Sequence, residues 1–159
     1  MKRPLCLVVF IAISLTILSG CGDSTQSDKT TNWKPTTYEI VNNFDGVTMD
    51  VKEGTVSPTG LTVVFKNNSD SEGLYGNNFS LEKKIDEKWH QVPTIISDYG
   101  FDGEGYSLPS KEDSEWNTSW EWLYGSLDMG QYRIIKDILD FRGTGDYDKY
   151  YLAAEFTIY

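Results

Sequence analysis

From Ser114 to Tyr124 the chain alternates with a period of two. Trp116, Thr118, Trp120, Trp122 and Tyr124 fall on one parity, and Glu115, Asn117, Ser119 and Glu121 on the other. Successive side chains of a strand point to opposite faces, whereas a helix brings together i, i+3 and i+4, so this spacing predicts a strand with one wet face. Each buried aromatic hides about 150–250 Å², so a face so rich in indoles needs a second layer to cover it. Sheet packed on sheet is the expected arrangement, with Trp116 and Trp120 in the core and Trp122, nearest the Tyr124-Gly125 loop, partly exposed. The rival use of that face is stacking against sugar rings of a cell wall.

The same period recurs along the chain. Val47, Met49 and Val51 alternate with polar residues; Leu61, Val63 and Phe65 do so less cleanly, which suits a strand buried on both faces. Pro58-Thr59-Gly60 and Asn67-Asn68-Ser69-Asp70 supply turns around it. Phe79, Leu81 and Ile85 lead into Asp86-Glu87, a hairpin turn towards Trp89 and Val92. Tyr132, Ile134 and Ile138 mark the next strand, and Leu152, Ala154, Phe156 and Ile158 the last. About seven short strands with frequent turns, and no amphipathic helix of useful length, predict an all-β antiparallel sandwich. Leu127-Asp-Met-Gly130-Gln-Tyr132 adds a local signal: a Leu, then a Gly, then a Tyr opening a strand matches the tyrosine corner, in which the phenol bonds to backbone upstream of its own strand.

The N-terminus predicts a destination. Lys2 and Arg3 precede fourteen uncharged residues, Leu5–Leu18, too short for a spanning helix but sized for a secretory signal. Leu18-Ser19-Gly20-Cys21 follows at once and resembles the bacterial lipobox. That resemblance implies a lipoprotein signal peptide over 1–20, cleavage before Cys21 and lipid on its sulfur. Two acyl chains anchor stably where one binds marginally. Loss of Lys2 and Arg3 takes the 14 basic residues to 12 against 24 acidic ones, a formal charge of −12. Cys6 leaves with the signal, so no free thiol remains for a disulfide or for catalysis. Residues 21–37 are polar apart from Trp33 and are expected to form a flexible linker, with the domain spanning 38–159.

Three motifs together carry a family resemblance. Tyr75-Gly-Asn-Asn-Phe79-Ser-Leu-Glu-Lys, Trp89-His-Gln-Val-Pro93 and Trp120-Glu-Trp-Leu-Tyr-Gly125-Ser-Leu-x-x-Gly130-Gln-Tyr-Arg133 resemble the bacterial Ig-like domain of small Gram-positive lipoproteins, from Gly46 to the C-terminus. The resemblance implies an Ig-like sandwich without the cysteine pair of antibody domains. It implies no catalytic activity, no agreed ligand and no site residues that transfer, and no cofactor is expected.

Chemistry in the residues themselves is sparse. His90 is the only histidine, placed in a strand beside Trp89, so neither a nucleophilic triad nor a His-rich metal site is expected. Asp98, Asp102 and Glu104 share one Gly-rich loop, and Asp140, Asp146 and Asp148 a second expected loop; their oxygens suit calcium, but neither has EF-hand spacing, and solvated acidic loops are the expectation. A formal charge of −10 argues against nucleic acid as a partner. The expectation is a non-enzymatic interaction domain on the extracytoplasmic face of the cell membrane, held through Cys21 and binding an unknown protein or cell-wall ligand. The alternatives are a proteinase inhibitor using loops 98–106 and 140–150, or a wall-carbohydrate module.

Overall fold

A computed structural model describes residues 32–159. The expected signal peptide over 1–20, Cys21 and most of the expected linker lie outside the described residues. Nine strands and one helical turn follow in order: β1 (Val47–Val51), β2 (Gly60–Asn67), β3 (Gly73–Gly76), β4 (Ser80–Ile85), β5 (Lys88–Gln91), β6 (Gly105–Leu108), β7 (Asp113–Ser119), α1 (Glu121–Tyr124), β8 (Gly130–Gly143) and β9 (Asp146–Ile158). All pairs are antiparallel. The smaller sheet runs β1-β2-β7; the larger runs β5-β4-β8-β3-β6, with β9 on the other edge of β8.

The sandwich closes over side chains of alternate parity from both sheets, as period two requires. Tyr132, Ile134 and Ile138 of β8 and Leu81 of β4 meet Val63 and Phe65 of β2, all at most 1% exposed. Phe65 packs on Tyr75 with ring centroids 4.4 Å apart, and Trp120 on Phe156 at 5.6 Å. On β2, Thr62 between Leu61 and Val63 is buried too, and Val64 half-buried, which explains the imperfect alternation there.

The two strands beyond the expected seven are β3 and β6. Each has four residues, too few for a period to show. They sit in the large sheet because β3 and β4 are two halves of one edge along β8. Leu74 pairs with Leu139 and Ser80 with Ile135, so six steps on one side face four on the other and two residues bulge out. The bulge frees backbone carbonyls, and Lys136 fills the need. It lies on the inward parity of β8, fully buried, and its Nζ donates to Gly76 O at 2.6 Å and Asn78 O at 3.0 Å. The ammonium also sits 3.6 Å from the centroid of the Trp116 ring, so β7 closes over it.

The tyrosine corner is present: the Tyr132 hydroxyl donates to Asp128 O at 2.8 Å, with Leu127 buried beside it. Burial pushes the phenol's pKa up to about 12.

Three expectations are corrected. First, the end of the linker is part of the fold. Pro35 bridges His90, Thr36 N–H donates to Trp89 O at 2.9 Å, and Gln91 N–H to Lys34 O at 2.8 Å. The chain then crosses the outer face of the large sheet, where the Tyr38 hydroxyl lies 3.0 Å from Ser80 Oγ, and reaches β9 where Asn42 N–H donates to Tyr151 O. This strap covers an ion pair: Arg133 donates to Glu82 Oε2 through Nε and Nη2, Trp89 stacks over the guanidinium at 4.6 Å, and Thr36 Oγ1 accepts from Nη2. Polar composition suggested a tether because its bonds are made by backbone, which composition does not register.

Second, the segment expected as a loop over 140–150 is the tip of the β8–β9 hairpin, paired down to Gly143 and Asp146. Third, the strand expected through Tyr124 stops at Ser119. Trp120 leaves β-conformation at φ −110°, ψ 6°, and one turn of α1 follows.

Candidate interaction site

That turn decides which indole faces water. Trp120 N–H donates to Thr59 O and its Nε1 to Pro58 O, both at 2.9 Å, which seats the ring against the Pro58-Thr59-Gly60 turn. From Trp120 onward the period is helical, so Leu123 and Tyr124, at i+3 and i+4, turn inward with it while Glu121 and Trp122 turn out. Leu123 N–H and Tyr124 N–H both donate to Trp120 O. Gly125, at φ 71°, ends the turn in the left-handed region that glycine adopts without strain. Trp116 and Trp120 are 7% and 0% exposed and belong to the core; Trp122 is 45% exposed.

Trp122 does not stand alone. Ile95 N–H donates to Leu123 O at 2.8 Å and pins the 93–104 loop against α1. The loop returns Tyr99 and Phe101 beside the indole, edge-on at 6.3 and 5.8 Å between centroids. Phe101 in turn rests on buried Phe79 at 5.5 Å, which joins the exposed cluster to the core. Behind Tyr99 a second recess of about 440 Å³ opens between α1 and the strap, bordered by Trp33, Tyr38, Ser80, Val92 and Tyr124. Burial pushes the Tyr124 phenol up to about 12.

Between Trp122, Phe101 and the free edge of β7 lies a cleft of about 270 Å³. Its walls are aromatic and its floor is polar: Asn77, Asp102, and the Asn117–Ser119 edge of β7. Asn77 is held from both ends, its Oδ1 accepting from Trp116 Nε1 at 3.1 Å and its Nδ2 donating to Asp102 Oδ1 at 2.7 Å. Among the described residues β7 pairs only with β2, so its other edge offers backbone donors and acceptors to the cleft.

The other residues singled out in sequence fall elsewhere. His90 lies on β5, with Nδ1 3.1 Å from Lys88 O. Asp98, Asp102 and Glu104 do not converge: Asp102 holds Asn77, and Glu104 accepts from the Tyr106 hydroxyl. Asp140, Asp146 and Asp148 do converge, but on Arg142, whose guanidinium reaches them at 3.1, 2.9 and 3.0 Å and takes the place a cation would fill. Among the described residues no cluster of His, Cys, Asp and Glu is arranged to hold a metal ion. Asn77 and Phe101 are not among the site residues singled out in sequence. The trace was two aromatics, Tyr99 and Phe101, inside a Gly-rich polar stretch with no apolar period to absorb them.

No protein in a search of curated sequences matches the chain. A family profile described as the bacterial Ig-like domain matches residues 43–157, from just before β1 to the penultimate residue of β9. The match spans both sheets, and with the sandwich it establishes that the chain belongs to the bacterial Ig-like domain family.

Proposed function

We propose that this chain is an extracytoplasmic membrane lipoprotein, held by lipid on Cys21, whose Ig-like domain binds an envelope ligand without catalysing a reaction. The basic start, uncharged run and Leu18-Ser19-Gly20-Cys21 box, in that order, support the anchor. The binding role rests above all on the surface aromatic cluster of exposed Tyr99 and Trp122 with half-buried Phe101. Exposed aromatics that are grouped, fixed by edge contacts and rimmed by polar groups mark recognition surfaces, whereas scattered ones need no explanation. Family membership supports an interaction domain rather than an enzyme.

The inhibitor alternative loses one of its two loops, because 140–150 is paired hairpin. Cell fractionation tests the anchor: wild type is expected in the membrane fraction, and Cys21→Ser in the soluble fraction or as uncleaved precursor. Lipid found by mass spectrometry on the Cys21→Ser chain refutes it. Cross-linking in intact cells tests the binding role: wild type is expected to trap an envelope component that Trp122→Ala does not.

A further inference from the structure

The geometry points to a neutral hexose or N-acetylhexosamine unit of a glycan as the ligand of the Trp122–Phe101 cleft, an inference that rests on the interaction reading above. A pyranose ring has one face of C–H groups and a rim of hydroxyls, each both donor and acceptor. The cleft offers the complement: the Trp122 indole, half exposed, with Phe101 at 78° to it, then a polar floor within reach of the ring's rim. Asn77 positions Asp102 through the 2.7 Å bond to Oδ1, while Oδ2 has no protein partner among the described residues and is open to a pair of ligand hydroxyls. The free β7 edge adds donors and acceptors in fixed directions.

Charge narrows the class. No Lys or Arg lines the cleft, and the whole chain has a formal charge of −10, so phosphorylated or carboxylated polymers meet only repulsion. A single carboxylate, Asp102, is too little to select a basic peptide. Size narrows it further. At about 270 Å³ the space lies just below the range that holds drug-sized ligands, which suits one sugar ring with its neighbours running outward over Tyr99 or along β7. Gly100 borders the cleft, and nothing lies within 4 Å of where its Cβ would stand, so the ligand's side of the loop is unobstructed.

The test is calorimetric titration of the full chain, purified in detergent, with chitotetraose and cellotetraose, and with polygalacturonate as the anionic counterpart. At least one neutral tetrasaccharide is expected to bind and polygalacturonate to fail. Trp122→Ala is expected to weaken binding tenfold or more with an unchanged melting temperature, Trp122→Phe to keep most of it, and Met129→Ala, an exposed apolar site outside the cleft, to match wild type. Binding of neither sugar, equal binding of the anionic polymer, or a Trp122→Ala chain that binds like wild type overturns the inference. If no sugar binds but Trp122→Ala still loses the component cross-linked in cells, the glycan assignment falls while the interaction reading stands.

Discussion

Replacing Lys136 by Met should change how stability depends on pH more than it changes stability itself. Met keeps the length of the stem and removes the amine from a site with no exposed surface. Burial pulls the Lys136 pKa from 10.5 down to about 7, with the Asp137 charge opposing the shift. Asp137 gives limited help because it is already engaged by Asn78 Nδ2 and by Lys149. The Trp116 face favours the cation, by about 0.5–2 kcal/mol. A neutral amine still has two N–H groups, enough for Gly76 O and Asn78 O, so deprotonation loses neither bond.

With the folded pKa below the unfolded one, the unfolded chain binds more protons between about pH 7 and 10.5, and wild-type stability rises with pH across that window. Each unit of separation is worth about 1.4 kcal/mol, so wild type should gain about 2 kcal/mol from pH 7 to 9. The Met variant has no such group. It leaves two carbonyls without a donor, at about 1–3 kcal/mol each, while removing the desolvation penalty of the ammonium. The two effects nearly cancel at pH 7, and the variant falls behind by about 2 kcal/mol at pH 9. Urea denaturation of both proteins at pH 7, 8 and 9 measures the gap, below the range where the phenols ionise. A gap that stays constant across the three pH values would refute the reasoning, because Lys136 would then keep its proton throughout.

Tyr132→Phe removes only the corner hydroxyl and orphans Asp128 O, so a loss of about 1–3 kcal/mol by chemical denaturation is expected. Trp116→Ala and Trp120→Ala should each cost about 3–5 kcal/mol, whereas Trp122→Ala should leave the thermal midpoint near wild type, since only the first two rings fill the core. Arg133→Met should destabilise by about 3–5 kcal/mol, because Glu82, 0% exposed, would be left as an unpaired buried charge; partial recovery in the Arg133→Met, Glu82→Gln double variant would show that the charge, not the packing, is responsible.

Alternation alone fixed much of this protein. Strands β1, β2, β4, β7, β8 and β9 lie where a period of two places them, because a strand with one face in a core writes that period into its side chains, and β5 lies where the Asp86-Glu87 turn sends the chain back. The corner at Leu127–Tyr132 was legible for a similar reason: its bond spans four residues, so the partners are neighbours in sequence. Tertiary structure decided the rest wherever the partner is distant or is backbone. β3 and β6 exist as strands because β8 and β3 offer them edges, and four residues carry no period. The strap over 33–42 is bonded through main chain to β5 and β9, which leaves its polar composition looking like a linker. Parity puts Lys136 on the apolar face of β8 with nothing in the sequence to satisfy its amine; the bulge at 76–78 supplies the carbonyls and Trp116 the lid. The same holds for the cleft. On a continued strand Trp122 would share the side of Trp120; one helical turn, held by the distant carbonyls of Pro58 and Thr59, rotates it towards solvent and beside Phe101. Local period thus set the faces, and contacts between residues about 60 apart in the chain decided where that period breaks and the candidate site begins.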